Sequence, residues 1–195
     1  MAAAATYPFI SLALPQNRTA RLMTQLALVV GGTLLLTLSA KTRVVLGPVD
    51  MSLQTLAVML IAATFGLRLG LATLLLYLAE GASGLPVFQG TPERGIGLVY
   101  MLGTTGGYLA GFVAMAAIVG WAADRGLDRS FFRFLGVLLV AEVAMLALGY
   151  AWLATIIGPQ AAWTGGVVPF IVPDLVKVGL AAAIMPAAWS LRRKA

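Results

Sequence analysis

Asp174 and Lys177 stand three residues apart inside 167–191, a stretch that otherwise reads as a membrane-spanning helix. A carboxylate or an ammonium at the centre of such a helix costs roughly 2.5 to 3.5 kcal/mol, so each needs a partner, and a ligand or ion site is the default expectation. Their spacing puts both on one helix face, where they can bond to each other or bracket one small polar ligand, one accepting and the other donating. If the helix starts near Val167, Asp174 lies about 10 Å and Lys177 about 15 Å below that end. Pro169 and Pro173 each remove a backbone donor, an irregularity tolerated at membrane depth where the backbone lines a cavity or is buried in protein. The competing reading is a structural ion pair that pins two helices.

The elements that must position this pair follow from composition. The 195 residues are 61% hydrophobic and only 10% charged, with a mean hydropathy of +0.96. Soluble domains carry about 25% charged residues, so this is an integral membrane protein. The expected fold is all-α, a single transmembrane domain over 1–195 with room for about six spans. Apolar runs fall at 22–40, 52–66, 69–80, 98–121, 134–157 and 167–191, after an N-terminal tail of residues 1–20 with no basic n-region that would mark a cleaved signal. The linkers are marked by Gly47-Pro48, Gly66-Leu67-Arg68, 81–97, 124–133 and 158–166. With six spans, one side collects Arg18, Arg21, Arg68, Arg125, Arg129, Arg133, Arg192, Arg193 and Lys194, and the other only Lys41, Arg43 and Arg94. The positive-inside rule then places both termini in the cytoplasm and opens the Asp174–Lys177 end outward.

Several function classes drop out. The sequence has no cysteine and no histidine, which removes thiolate catalysis and the common transition-metal ligands. It has no G-x-x-x-x-G-K-[ST] loop and no evident nucleophile paired to a base, so an enzyme is not expected, no cofactor is expected, and ATP-driven work would need separate subunits. The charge of +6 is dispersed among apolar runs, which argues against nucleic-acid binding.

Other polar and aromatic residues gather near the same end. Asp50, Gln54 and Thr55 flank the second run, Glu80 ends the third, and Gln89 and Arg94 occupy the linker beyond it. Arg94 is free to hold a carboxylate or to stay solvated beside Glu93. Tyr100 and Tyr108 lie on the fourth run, placed to stack on a flat ligand or to anchor at the interface. Gly103, Gly107 and Gly111 repeat every four residues there, a smooth face for close helix packing. Glu142 is a second intramembrane acid with no cation nearby in its own helix, read as protonated or bonded across helices.

Four blocks resemble the BioY family of biotin transporters: Gly47-Pro48-Val49-Asp50-Met51-Ser52-Leu53-Gln54-Thr55-Leu56; Tyr77-Leu78-Ala79-Glu80-Gly81-Ala82-Ser83-Gly84-Leu85-Pro86-Val87-Phe88; Gly103-Thr104-Thr105-Gly106-Gly107-Tyr108-Leu109-Ala110-Gly111-Phe112; and Pro173-Asp174-Leu175-Val176-Lys177. The resemblance covers about 47–180 and implies a six-helix substrate-binding S component of an energy-coupling factor (ECF) transporter in the bacterial cytoplasmic membrane, multi-pass among membrane lipid. It implies biotin bound from outside by Asp174 and Lys177, with the coupling transmembrane subunit and the ATPase subunits as separate partners. Asp174 would accept from a ureido N–H and Lys177 would donate to its carbonyl. Arg94, Gln89 and Tyr100 are candidates for the carboxylate, and the Leu85-Pro86-Val87-Phe88 segment for a lid. The first run lacks the A-x-x-x-A docking face common in S components, showing Arg21-Leu22-Met23-Thr24 near its start. A solitary or homo-oligomeric transporter, with the glycine ladder as a self-association face, therefore stands beside the ECF complex. An S component for another flat vitamin and a structural ion pair are the alternative functions.

Overall fold

The computed structural model describes residues 8–45 and 50–192. A 3-10 turn, Phe9–Ala13, precedes α1 (Arg18–Lys41), which Asn17 caps by accepting from the Thr19 and Ala20 amides. Two short strands, β1 (Arg43–Val45) and β2 (Asp50–Ser52), pair antiparallel with Val44 opposite Met51. The helices α2 (Gln54–Ala82), α3 (Gly97–Met101), α4 (Gly106–Asp124), α5 (Phe131–Ile157), α6 (Pro159–Gly166) and α7 (Val168–Arg192) follow, with a second 3-10 turn at Leu127–Arg129. Among the described residues, five helical segments are long and apolar enough to cross a membrane, α6 and α7 counting as one. Large apolar side chains such as Leu26, Leu34, Leu38, Val140 and Val143 are exposed, a surface suited to hydrocarbon rather than water.

The helix α2 is not one straight rod. Gly66 has φ 75° and ψ −178°, which divides it into arms 54–65 and 67–82. A Cβ on Gly70 would lie 3.1 Å from Ala62 Cα, whereas residues eight apart in a straight helix are separated by about 12 Å. The chain therefore folds back on itself, and at the far end Gln54 Nε2 donates to Tyr77 Oη at 3.0 Å across the two arms. The Asp124 carboxylate caps the second arm through the Leu67 amide at 3.3 Å. A side chain at residue 66 would strike Asp124 and Pro8, so this reversal needs glycine for both its backbone angle and its space.

The helix α4 packs against both α2 and α5. Its Gly111 meets the α5 backbone so closely that a Cβ would sit 2.8 Å from Met145 O, and Gly107 abuts Leu148 and Gly149. The glycine face is thus filled by α5 of the same chain, which corrects its reading as a self-association surface. Gly103 is not on that helix at all, because the fourth apolar run, expected as one span over 98–121, breaks after Met101. Successive turns, Gly103 N to Tyr100 O and Gly106 N to Gly103 O at 3.1 Å each, replace the helix there, and Trp152 Nε1 donates to Gly103 O at 2.9 Å. The expected linker at 158–166 holds the short helix α6, and the 41–52 connection carries the small β-ladder in an otherwise helical chain.

The chain collects its turns at two ends. At the Gly66 end, Phe9 stands edge-on to Trp189 at 5.1 Å, Trp189 Nε1 donates to Asp128 Oδ2 at 2.6 Å, and the Arg129 guanidinium lies 4.4 Å over the same indole. The opposite end holds the β-ladder, the 83–96 loop, α3 and α6. Arg193 and Lys194, counted in the charge asymmetry, lie outside the described residues, as do Gly47, Pro48 and Val49.

Replacing Gly66 with alanine is expected to cost about 2 kcal/mol or more through the left-handed backbone alone, read in detergent as a fall of roughly 5 °C in the unfolding midpoint. Gly136→Ala, with nothing near its Cβ position, should leave the midpoint in place, and equal midpoints for the two variants would refute the fold-back's dependence on Gly66.

Candidate functional site

Proline chemistry shapes the helix that carries the charged pair. Pro169 falls in the first turn of α7, where its missing N–H costs nothing, whereas Pro173 lies inside the helix one residue before Asp174. Asp174 is 1% and Lys177 6% exposed, and Lys177 Nζ donates to Asp174 Oδ1 at 2.7 Å. Asp174 Oδ2 is buried with no donor among the described residues. A buried carboxylate oxygen without a donor is costly, so the Asp174 carboxylate retains capacity to accept.

Both charges line a cavity of about 610 Å³ enclosed by Ser52 and the start of the first arm of α2, the 83–96 loop, α3 and helices α4 to α7. That volume lies within the range of small-molecule sites, roughly 300 to 1,000 Å³. The cavity wall has a polar and an apolar part. Gln54, Gln89, Arg94, Tyr100 and Tyr108 line it together with Asp174 and Lys177, and Leu109, Phe112, Met145, Leu146, Leu153 and Phe170 supply apolar surface. Gln54 spends its amide nitrogen on Tyr77, which leaves its carbonyl oxygen free to accept.

The 83–96 loop is pinned in place from below and from the side. Tyr77 Oη, accepting from Gln54, donates to Val87 O at 3.0 Å, and Tyr100 Oη donates to Gln89 O at 2.7 Å. Phe88 sits between these two rings, edge-on to Tyr77 at 5.3 Å and stacked on Tyr100 at 5.0 Å, in space that any side chain at Gly81 would occupy. Lys41, at the end of α1, donates to Thr91 O and, at 2.8 Å, to Thr91 Oγ1. These contacts hold Gln89, Gly90 and the exposed Arg94 at the cavity mouth.

Two candidates read from the sequence do not line the cavity. Glu80 accepts from Thr33 Oγ1 of α1 at 3.0 Å, on the α1 side of the second arm. Phe88 is 1% exposed and anchors the loop from behind. Thr104 and Thr105 do line the cavity and were not singled out as ligands, because hydroxyls in a presumed continuous helix carry no signal until the chain breaks there. Phe170 and Met145 were equally silent, being ordinary apolar residues of apolar helices. Tyr108 is placed by close packing: its ring lies over Gly149 and its hydroxyl donates to Gly166 O at 2.6 Å, joining α4, α5 and α6 at the cavity wall.

Comparison with known proteins connects this architecture to a family. The model of the BioY family matches residues 12–194. The "Biotin transporter BioY" of Thermotoga maritima is 35% identical over 153 residues, covering 78% of this chain and 88% of that protein. The "Biotin transporter BioY2" of Lactococcus lactis is 30% identical over 154 residues, 78% of this chain and 82% of that protein. Among solved structures, the S-component for biotin from an ECF-type ABC transporter superposes with a TM-score of 0.74 over 90% of this chain and 95% of that one, at 21% identity, which shows a shared fold. The chain belongs to the BioY family of membrane proteins.

Proposed function

We propose that this protein takes up biotin across the cytoplasmic membrane, holding the ureido head on Asp174 and Lys177. The observation that carries the reading is the buried pair itself: a donor and an acceptor side by side, with Asp174 Oδ2 still lacking a donor. A ureido group presents an N–H and a carbonyl together, so the Asp174 carboxylate accepts from one and Lys177 donates to the other. The pair and the ring are each neutral overall, which limits the desolvation cost of bringing them together. Gln54 Oε1 is placed to accept at the same head. The thiophane ring and the alkyl tail have Phe112, Met145 and Phe170 as walls, and Arg94 at the mouth suits the carboxylate. The named function of the family relatives, biotin transport, agrees with this chemistry, and makes the chain a transporter component rather than an enzyme.

The fold-back at Gly66 supports six membrane passes: α1, the two arms of α2, α4, α5 and α7. Arg18, Arg21, Arg68, Arg125, Arg129, Arg133 and Arg192 then share the Gly66 end, and Lys41, Arg43 and Arg94 the cavity end. By the positive-inside rule the termini face the cytoplasm and the cavity opens outward, where biotin arrives. With no Walker loop in the sequence, ATP hydrolysis would belong to separate ECF subunits if this chain is an S component, as its structural neighbour is.

Calorimetry in detergent should show biotin binding by the wild type and a loss of about 30-fold or more in Lys177→Ala, since stranding one member of a buried charge pair costs about 2 to 5 kcal/mol. Undiminished binding in that variant would remove the pair from the site, and no binding by the wild type would end the biotin reading. Arg94→Ala should weaken biotin by about tenfold while leaving the affinity for biotin methyl ester unchanged; equal losses for acid and ester would show that Arg94 does not read the carboxylate.

A further inference from the structure

Glu142 lies near the middle of α5, is 5% exposed, and has no donor to either oxygen among the described residues. Across the α5–α7 packing its electrostatic neighbours are Asp174 and Lys177, and Asp174 is close enough for a carboxyl-to-carboxyl hydrogen bond. Other elements packed on α5 bring no further charge to it among the described residues. The helix α4 has none before Asp124, and its Tyr108 hydroxyl is committed to Gly166 O. The helix α6 has no ionisable side chain, and Asp128 and Arg129 are held on Trp189 at the Gly66 end.

Two carboxylates and one ammonium carry a net negative charge unless a proton joins them, and two carboxylates in contact in an apolar site repel strongly when both are ionised. Without that proton, the oxygens of Glu142 and Asp174 Oδ2 are acceptors facing acceptors. One bound proton makes the cluster neutral and turns the contact into a hydrogen bond. The Asp174 carboxylate keeps further lone pairs for a ligand N–H, so the proton and the ligand are compatible on the same group.

We propose that Glu142 is a positioning residue of the ligand clamp, holding one proton against Asp174 so that ligand binding and proton binding at this cluster are linked. The ligand in this statement rests on the biotin reading above. The sign follows from the charge count: with the proton lost, Asp174 is repelled by Glu142 and withdrawn from its clamp geometry. Affinity is therefore flat while the cluster keeps its proton and falls as pH rises past the point of loss.

The test uses the full chain in detergent or nanodiscs, wild type against Glu142→Gln, with biotin titrated calorimetrically from about pH 6 to about two units above the pH at which the proton leaves. Infrared spectroscopy follows the C=O stretch of the protonated carboxyl in the same samples without ligand. The expected wild type shows that band, loses about tenfold in affinity per pH unit once the band disappears, and takes up about one proton per biotin in that range. Glu142→Gln, which can still donate to Oδ2, should lack the band, take up no proton and bind with a pH-independent affinity. A band or a pH slope in the variant equal to the wild type's overturns the proposal, as does a wild type with no band or with flat affinity across its loss. A wild type that binds no biotin defeats the function instead, and the infrared comparison still decides the proton.

Discussion

The structure is organised around the cost of burying Asp174 and Lys177 inside the helix bundle. Paired at 2.7 Å they neutralise each other, but one ion pair leaves hydrogen-bonding capacity unspent, and Asp174 Oδ2 is where that remainder lies. A site of this kind is inert toward apolar molecules and toward single charges. On the proposed function it selects a neutral group that offers a donor and an acceptor at the spacing of the pair. Selectivity of this sort comes from the penalty on the wrong ligand, which would leave the buried charges unmatched, as much as from attraction to the right one.

The rest of the fold keeps the two sides of that cavity at fixed distance. The helix α4 is the centrepiece, packed on α2 on one side and pressed onto α5 on the other through Gly107 and Gly111. The close approach of α4 and α5 carries Tyr108 to the cavity wall. The fold-back at Gly66 brings Gln54 of the first arm beside Tyr77 of the second, and Tyr77 in turn holds the 83–96 loop. Anchoring extends to α1, whose Lys41 reaches Thr91. The cavity mouth is therefore held by side chains from several helices, which suits a loop that must release and recapture a ligand without unfolding.

Much of this was legible in the sequence because membrane burial makes charge conspicuous. Asp174 and Lys177 stood out by cost, their shared face by spacing, and the two ends of the bundle by the distribution of arginine and lysine. Gly66 read as a turn between two apolar runs, and it is one. What the sequence hid depended on backbone breaks with weak local signals. The Gly103-Thr104-Thr105-Gly106 segment was absorbed into the apolar run 98–121, although its paired glycines and threonines interrupt the aliphatic pattern and are the signal by which the break, and the arrival of both threonines at the cavity, could be found. The glycine ladder showed that something packs closely on α4 without naming the partner, and the partner is α5. Phe88 and Glu80 fell in the right segment for ligand contact, but aromatic stacking turned Phe88 inward and Thr33 took Glu80. Phe170 and Met145 could not be told from any other wall residue before the helices were assembled.

The proposed function requires that the buried acceptor–donor pair recognise the ureido head. Competition binding on the unaltered protein tests it from the ligand side, comparing biotin, desthiobiotin and a biotin methylated at the ureido nitrogen. Desthiobiotin, which keeps the ureido group, should lose little. The N-methyl analogue, which leaves Asp174 without its donor, should lose about 100-fold or more. An N-methyl analogue that binds as tightly as biotin would contradict it.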